Sequence, residues 1–294
     1  MDNKRDDIVQ AAIRLFSKKG FAATSVEEIA KESGIAKASF YKYFQGKHEL
    51  PLAACSKMEE EIEKGIKALY SQAGLSSREK LFQFIKIYLN NIIGNKTHML
   101  LIAGPFPANT HDEQTNQALE EHEKRIFRWI HDCLLDVYGP DLEQHIWDIT
   151  FILMSVTFEY IRVFGDRMEQ ESIDKLADFI LYITDSLING MRQQSGPPSF
   201  LWGLEGWFGS SRDADPFQEG KQIAGLLERL EEKLMRVNMG DSSRHEYLDI
   251  IGQLRQETSA STASNGLLKA LLSYLEQLDD LNEDALKLRG LLGL

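Results

Sequence analysis

Apolar residues recur at three- and four-residue intervals through nearly the whole chain. Ile8, Ala12, Leu15 and Phe16 fall at i, i+4, i+7 and i+8, one face of a helix. Asp6 and Asp7 suit its positive end, with Asn3 or a neighbour as cap, and Lys18, Lys19 and Gly20 supply the stop. Thr24 followed three residues later by Glu27 is a capping-box pattern, opening a short second helix that buries Val26, Ile29 and Ala30. Gly34 breaks the chain, and a third short helix is expected over 37–44, ended by Gly46.

Longer helices are expected over 47–70, 77–93, 95–103, 112–138, 141–164 and 172–193. Breaks fall at Gly74, Gly94, the loop 104–107, Gly139-Pro140 and Gly165. Beyond a Ser-Gly-Pro-Pro linker at 195–198 come Phe200, Trp202, Trp207 and Phe208, then helical stretches over 217–237 and 244–257. A Ser/Thr/Ala-rich hinge over 258–266 precedes a last helix over 267–292, striped by Leu268, Leu271, Leu275 and Leu278. No segment alternates with a period of two and β-branched enrichment, so an all-α fold is expected.

Composition adds little to this picture. At 294 residues, 43% hydrophobic, the chain has length for roughly two domains. No apolar run approaches the ~18 residues of a membrane span. The charged N-terminus lacks the apolar core of a signal peptide, so no membrane partner is expected. Cys55 and Cys133 stand far apart in no ligand or redox motif, which fits a reducing cytoplasm.

Charge changes the picture more. The chain is net −12, but residues 1–50 carry nine Lys/Arg against seven Asp/Glu, and between Ser33 and His48 the charged residues are Lys37, Lys42 and Lys47. Screening makes local charge count for more than the total, so a basic surface on an acidic body still attracts phosphate. Three short helices with a glycine turn between the second and third describe a helix-turn-helix. The third helix of such a unit fits the ~12 Å major groove of B-DNA.

The runs Thr24-Ser25-Val26-Glu27-Glu28-Ile29-Ala30, Gly34 to Phe44 (GIAKASFYKYF) and Lys47-His48-Glu49-Leu50 resemble the N-terminal signature of the tetracycline-repressor (TetR/AcrR) family. The resemblance is specific over 6–52 and becomes one of helix order out to about 194. It implies a head over 1–50, an effector-binding and dimerisation bundle over 51–194, and a C-terminal helical extension over 195–294 that the family pattern does not explain. It places Lys37, Ala38, Ser39 and Lys42 toward the groove. Tyr41 and Tyr43 fall at aromatic contact positions, Thr24 and Ser25 beside phosphate, and Lys47 at a phosphate-anchoring position. Phe40 and Phe44 read as core. Pro51, one turn into the fourth helix, departs from the family pattern and is expected to kink or delay that helix.

The resemblance also implies a homodimer on a pseudo-palindromic operator, a repressor released by a small hydrophobic or cationic effector. The 146–164 helix is apolar almost all round and is expected to be buried on several sides. The implied twofold interface uses Ile152, Ile161, Leu176, Phe179, Ile180, Ile183 and Leu187. The implied effector pocket is lined by Phe84, Tyr88, His98, Leu101, Phe127, Trp147, Phe151, Met154 and Phe158. Glu159, a carboxylate in an apolar helix, needs a partner. Arg162, Arg167, water and a cationic ligand all qualify.

The extension holds 10 basic and 16 acidic residues, so DNA contact there is not expected. Its leucine stripes either pack within the protein or dock a protein partner, and the second case is an alternative route of control. The chain has no GxSxG, P-loop, CxxC or HExxH pattern and no paired histidine ligands, so neither catalysis nor a cofactor is expected.

Overall fold

The computed structural model describes residues 2–94, 113–193, 199–201, 215–260 and 263–294. The expected 95–103 helix lies outside them. The described residues form twelve helices and no strand. These are α1 (Asp2–Lys19), α2 (Val26–Glu32), α3 (Lys37–Phe40), α4 (Glu49–Tyr70), α5 (Ser77–Gly94) and α6 (Glu113–Tyr138). Then follow α7 (Ile146–Phe164), α8 (Gln170–Gln193), α9 (Pro216–Arg236), α10 (Asp241–Thr258), α11 (Asn265–Leu275) and α12 (Asp279–Leu291). Two compact units emerge: Met1–Ile62 with Ile85–Ser210, and Glu63–Phe84 with Ser211–Leu294. Most of the extension lies in the second unit. Its unit also takes in the last turns of α4 and the first turns of α5.

In the first unit the head closes over Ile8, Ala12, Phe16, Ile29, Phe40, Phe44 and Leu50, with Leu15, Val26, Ile35 and Tyr43 packed at the margin. Here α4 begins at Glu49, two residues later than expected, which puts Pro51 in its first turn. The N–H groups of a first turn have no acceptor inside the helix, so the proline removes no helical bond there.

Further along this unit α6 packs on α7, and α7 on α8. The face Ile146, Ile149, Thr150, Leu153, Thr157 and Ile161 of α7 is buried. Its other side is not, contrary to the sequence expectation: Phe151, Ile152, Phe158, Tyr160, Val163 and Phe164 are exposed in the single chain. An apolar all-round helix is here an apolar helix with one unpartnered face.

The second unit has its own core, in which Leu226, Leu227, Leu230 and Leu234 of α9 meet Ile251 and Leu254 of α10. Leu268, Leu272 and Leu275 of α11 and Leu281, Ala285 and Leu288 of α12 complete it. The long final helix read from the leucine stripe is two helices, broken at 276–278. A continuous helix over 267–292 would run about 39 Å in one direction. The break brings both halves onto the same core. Asn282 donates to the Glu276 carbonyl at 2.7 Å and Arg289 pairs with the Glu276 carboxylate at 2.7 Å, holding the corner. Asp284, buried on α12, is neutralised by Lys233 of α9 at 2.8 Å.

Candidate nucleic-acid interface

The turn between α2 and α3 is built by Gly34. The Gly34 N–H donates to the Lys31 carbonyl at 3.1 Å, and the Ile35 N–H reaches back to the Ala30 carbonyl at 2.9 Å. This crossing of two bonds needs a left-handed residue between them, and Gly34 sits at φ 69°. Regular helix in α3 covers Lys37–Phe40. Shorter-range bonds from Lys42 N–H to the Ser39 carbonyl and from Tyr43 N–H to the Phe40 carbonyl carry the turning on to Phe44.

Periodicity then sorts the side chains. Phe40 and Phe44, four apart, are buried with ring centroids 5.8 Å apart. Lys37, Ala38, Tyr41 and Lys42 are exposed, and Ser39 and Tyr43 half-buried. Tyr41, 53% exposed, stands edge-on to the buried Phe40 ring. Lys37 lies 3.6 Å from Glu27, an exposed pair that water screens. The short helix and the turn that continues it thus offer two ammonium groups, a phenol and a hydroxyl away from the Phe40–Phe44 anchor.

Helix α2 is capped one residue later than the Thr24/Glu27 pattern suggests. Ser25 is the cap: its hydroxyl accepts the Glu28 N–H at 3.3 Å, and the Glu28 carboxylate accepts the Ser25 N–H at 2.9 Å. Glu28 also meets the Lys19 ammonium. That contact and the Ser25 bonds lower the Glu28 pKa to about 2. Thr24, 1% exposed, donates its hydroxyl to the Gly20 carbonyl at 2.8 Å, so this side chain is part of the head interior and does not face phosphate.

Lys47, expected on phosphate, is engaged within the head. Its ammonium donates to the carbonyls of Phe21 at 2.8 Å, Ala22 at 3.2 Å and Thr24 at 2.7 Å, and stands 4.7 Å from the Phe21 ring centroid. An ammonium has three donors, and all three have acceptors here. Burial and the nearby Lys19 charge push its pKa below the ordinary lysine value. Two more cations, missed in the sequence, brace the head. Lys4 donates to the Ser33 carbonyl at 3.0 Å, and the Arg5 guanidinium lies 4.9 Å from the Phe44 ring centroid.

Away from the head the other predicted residues are only partly brought together. Phe127 and Phe151 meet at 6.2 Å between centroids, and Trp147 stacks on His131 at 4.1 Å. Tyr88 is buried and Met154 half-buried, whereas Phe158 is exposed. Phe84 belongs to the second unit, where its ring lies 6.1 Å from that of Phe217. His98 and Leu101 lie outside the described residues. Glu159 is exposed and bridges to Arg162, with Nε at 2.7 Å, so it needs no ligand for balance.

Of the expected interface residues, Ile152 and Phe179 are exposed, Ile183 and Leu187 half-buried, and Ile161, Leu176 and Ile180 lie in the chain's own core. Sequence reasoning missed Glu59, a buried carboxylate on α4 that meets His122 and sits 2.8 Å from Arg125. A lone Glu among the many charges of α4 gives no signal of its burial. Among the described residues no group of His, Cys, Asp and Glu could hold a metal ion, and no helix is long and apolar enough to cross a membrane.

A glycine-hinged helix pair with its lysines turned outward defines a helix-turn-helix DNA-binding protein. Residues 8–54 match the family of bacterial regulatory proteins described as the tetR family. The uncharacterized HTH-type transcriptional regulator YerO of Bacillus subtilis (strain 168) is 25% identical over 98% of this chain and 94% of its own length. The uncharacterized HTH-type transcriptional regulator YuxN of the same organism is 26% identical over 99% and 98%. The fatty acid degradation regulator FadR of Bacillus halodurans shares the fold, with TM-score 0.52 and 17% identity over 62% of this chain and 94% of its own. Residues 8–54 therefore form a DNA-binding head of the tetR type, and the chain is similar along nearly its whole length to HTH-type transcriptional regulators.

Proposed function

We propose that the protein is a homodimeric repressor whose two heads read the half-sites of a pseudo-palindromic operator through Lys37, Ala38, Ser39, Tyr41 and Lys42. The observation that carries this reading is the division of residues 37–44: Phe40 and Phe44 are fixed in the head core, and Lys37, Lys42 and Tyr41 are turned to solvent. Lys37 and Lys42 supply charge to phosphates or base edges, and the Ser25 and Ser39 hydroxyls add polar contacts. Lys47 positions the reading helix by tying the α1–α2 turn to the start of α4. Replacing Lys42 by Ala is expected to weaken binding to all duplexes and to lower the salt slope by about 0.9 for each head. An unchanged slope removes Lys42 from the interface.

The dimer forms through the unpartnered apolar face of α7 and α8. Tyr160 and Phe179 meet at 5.9 Å there, and Ile152, Val163, Phe164 and Tyr182 of the same helices are exposed as well. An exposed apolar area of this kind marks an interface. Occupancy of a promoter by such a dimer suffices for repression. Release follows when an apolar effector, received beside Phe127, Phe151 and Met154, favours a different head separation; couplings of about 1–3 kcal/mol are usual. A panel of apolar and cationic compounds that shifts neither operator affinity nor melting temperature removes the effector from the scheme. A second reading, control through the C-terminal extension, is favoured by the seat of α9 on residues of α4 and α5.

A further inference from the structure

We infer that the C-terminal extension is a clamp on α4 that keeps the DNA-reading head competent for its operator. Within the second unit the first turns of α9 lie against the last turns of α4. Asp215 caps α9 by accepting the Phe217 and Gln218 N–H groups at 3.0 and 3.3 Å, and Pro216 stands at the first helical position, which needs no donor. This presents Phe217 edge-on to Tyr70, with centroids 4.9 Å apart and planes at 87°, and both residues are buried. Glu219 pairs with Lys67 at 2.6 Å, and Lys67 also reaches Glu63 at 2.7 Å.

Gly220 permits the close approach. A Cβ there would fall 2.7 Å from the Tyr70 Cβ and 2.8 Å from the Lys67 carbonyl oxygen, and the latter is backbone that cannot swing aside. The same helix then continues through Ile223, Leu226, Leu227, Leu230 and Leu234 into the core of the extension. The grip is therefore anchored in a packed bundle.

The gripped helix matters because its other end belongs to the head. Leu50, Ala53 and Ala54 of α4 are buried in the head core, and Lys57 pairs with Asp6 of α1 at 2.5 Å. One continuous helix thus carries head residues in its first turns and clamp residues in its last. A helix held at both ends samples fewer orientations than one held at a single end. Apparent affinity for a two-half-site operator falls in proportion to the fraction of molecules whose heads are correctly set. The alignments with YerO and YuxN run through the extension as well as the head, as a part of the working molecule would.

The inference rests on the DNA-binding role of the head, and the test keeps the two apart. Hydrogen exchange of residues 63–70 is measured in the full chain, together with affinity for a two-half-site operator duplex and for a single half-site duplex. Gly220→Ala is expected to speed exchange over 63–70 and to weaken operator binding by about fivefold or more, with half-site binding within about twofold of the parent. Faster exchange with unchanged operator affinity overturns the clamp. Unchanged exchange overturns the close seat on which it depends. Should Gly220→Ala not fold, Lys67→Met removes the ion pairs alone and is read in the same way. A parent protein that retains no duplex overturns the functional reading and the clamp together; parent binding matched by the variants overturns the clamp alone.

Discussion

Replacing Lys47 by Ala separates a lysine that positions the reading helix from one that touches DNA. The ammonium makes three bonds to backbone carbonyls at 2.7–3.2 Å. A hydrogen bond involving a charged group contributes about 1.5–3 kcal/mol. Three of them share one ammonium that is only half-buried, and water replaces them in part, so about 2 kcal/mol for the set is the working figure. The contact with the Phe21 ring adds roughly 0.5–1 kcal/mol. At about 2–4 °C per kcal/mol for a unit of this size, the expected fall in melting temperature is about 5–12 °C. DNA affinity falls as well, because the α1–α2 turn no longer fixes the start of α4. The slope of log affinity against log salt, however, stays at the parent value, since no phosphate partner is lost. Calorimetry and fluorescence anisotropy between about 50 and 200 mM salt read the two effects separately. A variant with unchanged melting temperature and a slope lowered by about 0.9 per head would refute the positioning role and restore Lys47 to the interface.

Phe179→Asp places a charge in the apolar α7–α8 face and is expected to yield monomers by light scattering, with operator affinity lost; a dimer of unchanged mass contradicts that interface. Glu59→Ala removes the buried carboxylate that meets both His122 and Arg125 and is expected to destabilise the first unit by about 1–3 kcal/mol in a urea melt. A loss below about 1 kcal/mol would show the cluster to be open to water. The Glu28 carboxyl should titrate near pH 2 by NMR. Because its folded pKa is depressed, the stability it confers is present above its ordinary value of 4.5 and is lost as pH falls toward 2. Glu28→Gln should flatten that part of the acid profile, and a titration near 4.5 contradicts the capping geometry. Glu159→Ala, at an exposed pair that water screens, should leave the urea midpoint unchanged, and a clear shift would contradict that exposure.

The head was legible because its signals are local. A glycine with positive φ, a Ser-x-x-Glu cap and two phenylalanines four apart all lie within about twenty residues. Even so, two overlapping cap patterns, Thr24/Glu27 and Ser25/Glu28, look alike in the sequence. The choice falls to Ser25 because the Thr24 hydroxyl is drawn inward to Gly20. The bonds of Lys47 are hidden for a related reason: a lysine in a basic stretch gives no sign that three carbonyls from the preceding turn converge on it.

Apolar content marked α7 but did not say which face stays unpartnered, since a single chain buries only one stripe. The leucine stripe of the last helix was real, yet its periodicity runs on through the corner at 276–278. The seat of Gly220 on Tyr70 joins residues 150 positions apart, and no local pattern announces it.

Selection of bound sequences from random duplex DNA by the purified protein tests the central claim most directly. The account predicts a retained consensus with twofold symmetry, its half-sites about 34–36 Å apart or a multiple of that. It also predicts that the consensus is lost when Lys37 and Lys42 are both replaced by Ala. Failure to enrich any duplex at low ionic strength, or the same consensus from the double variant, would contradict it.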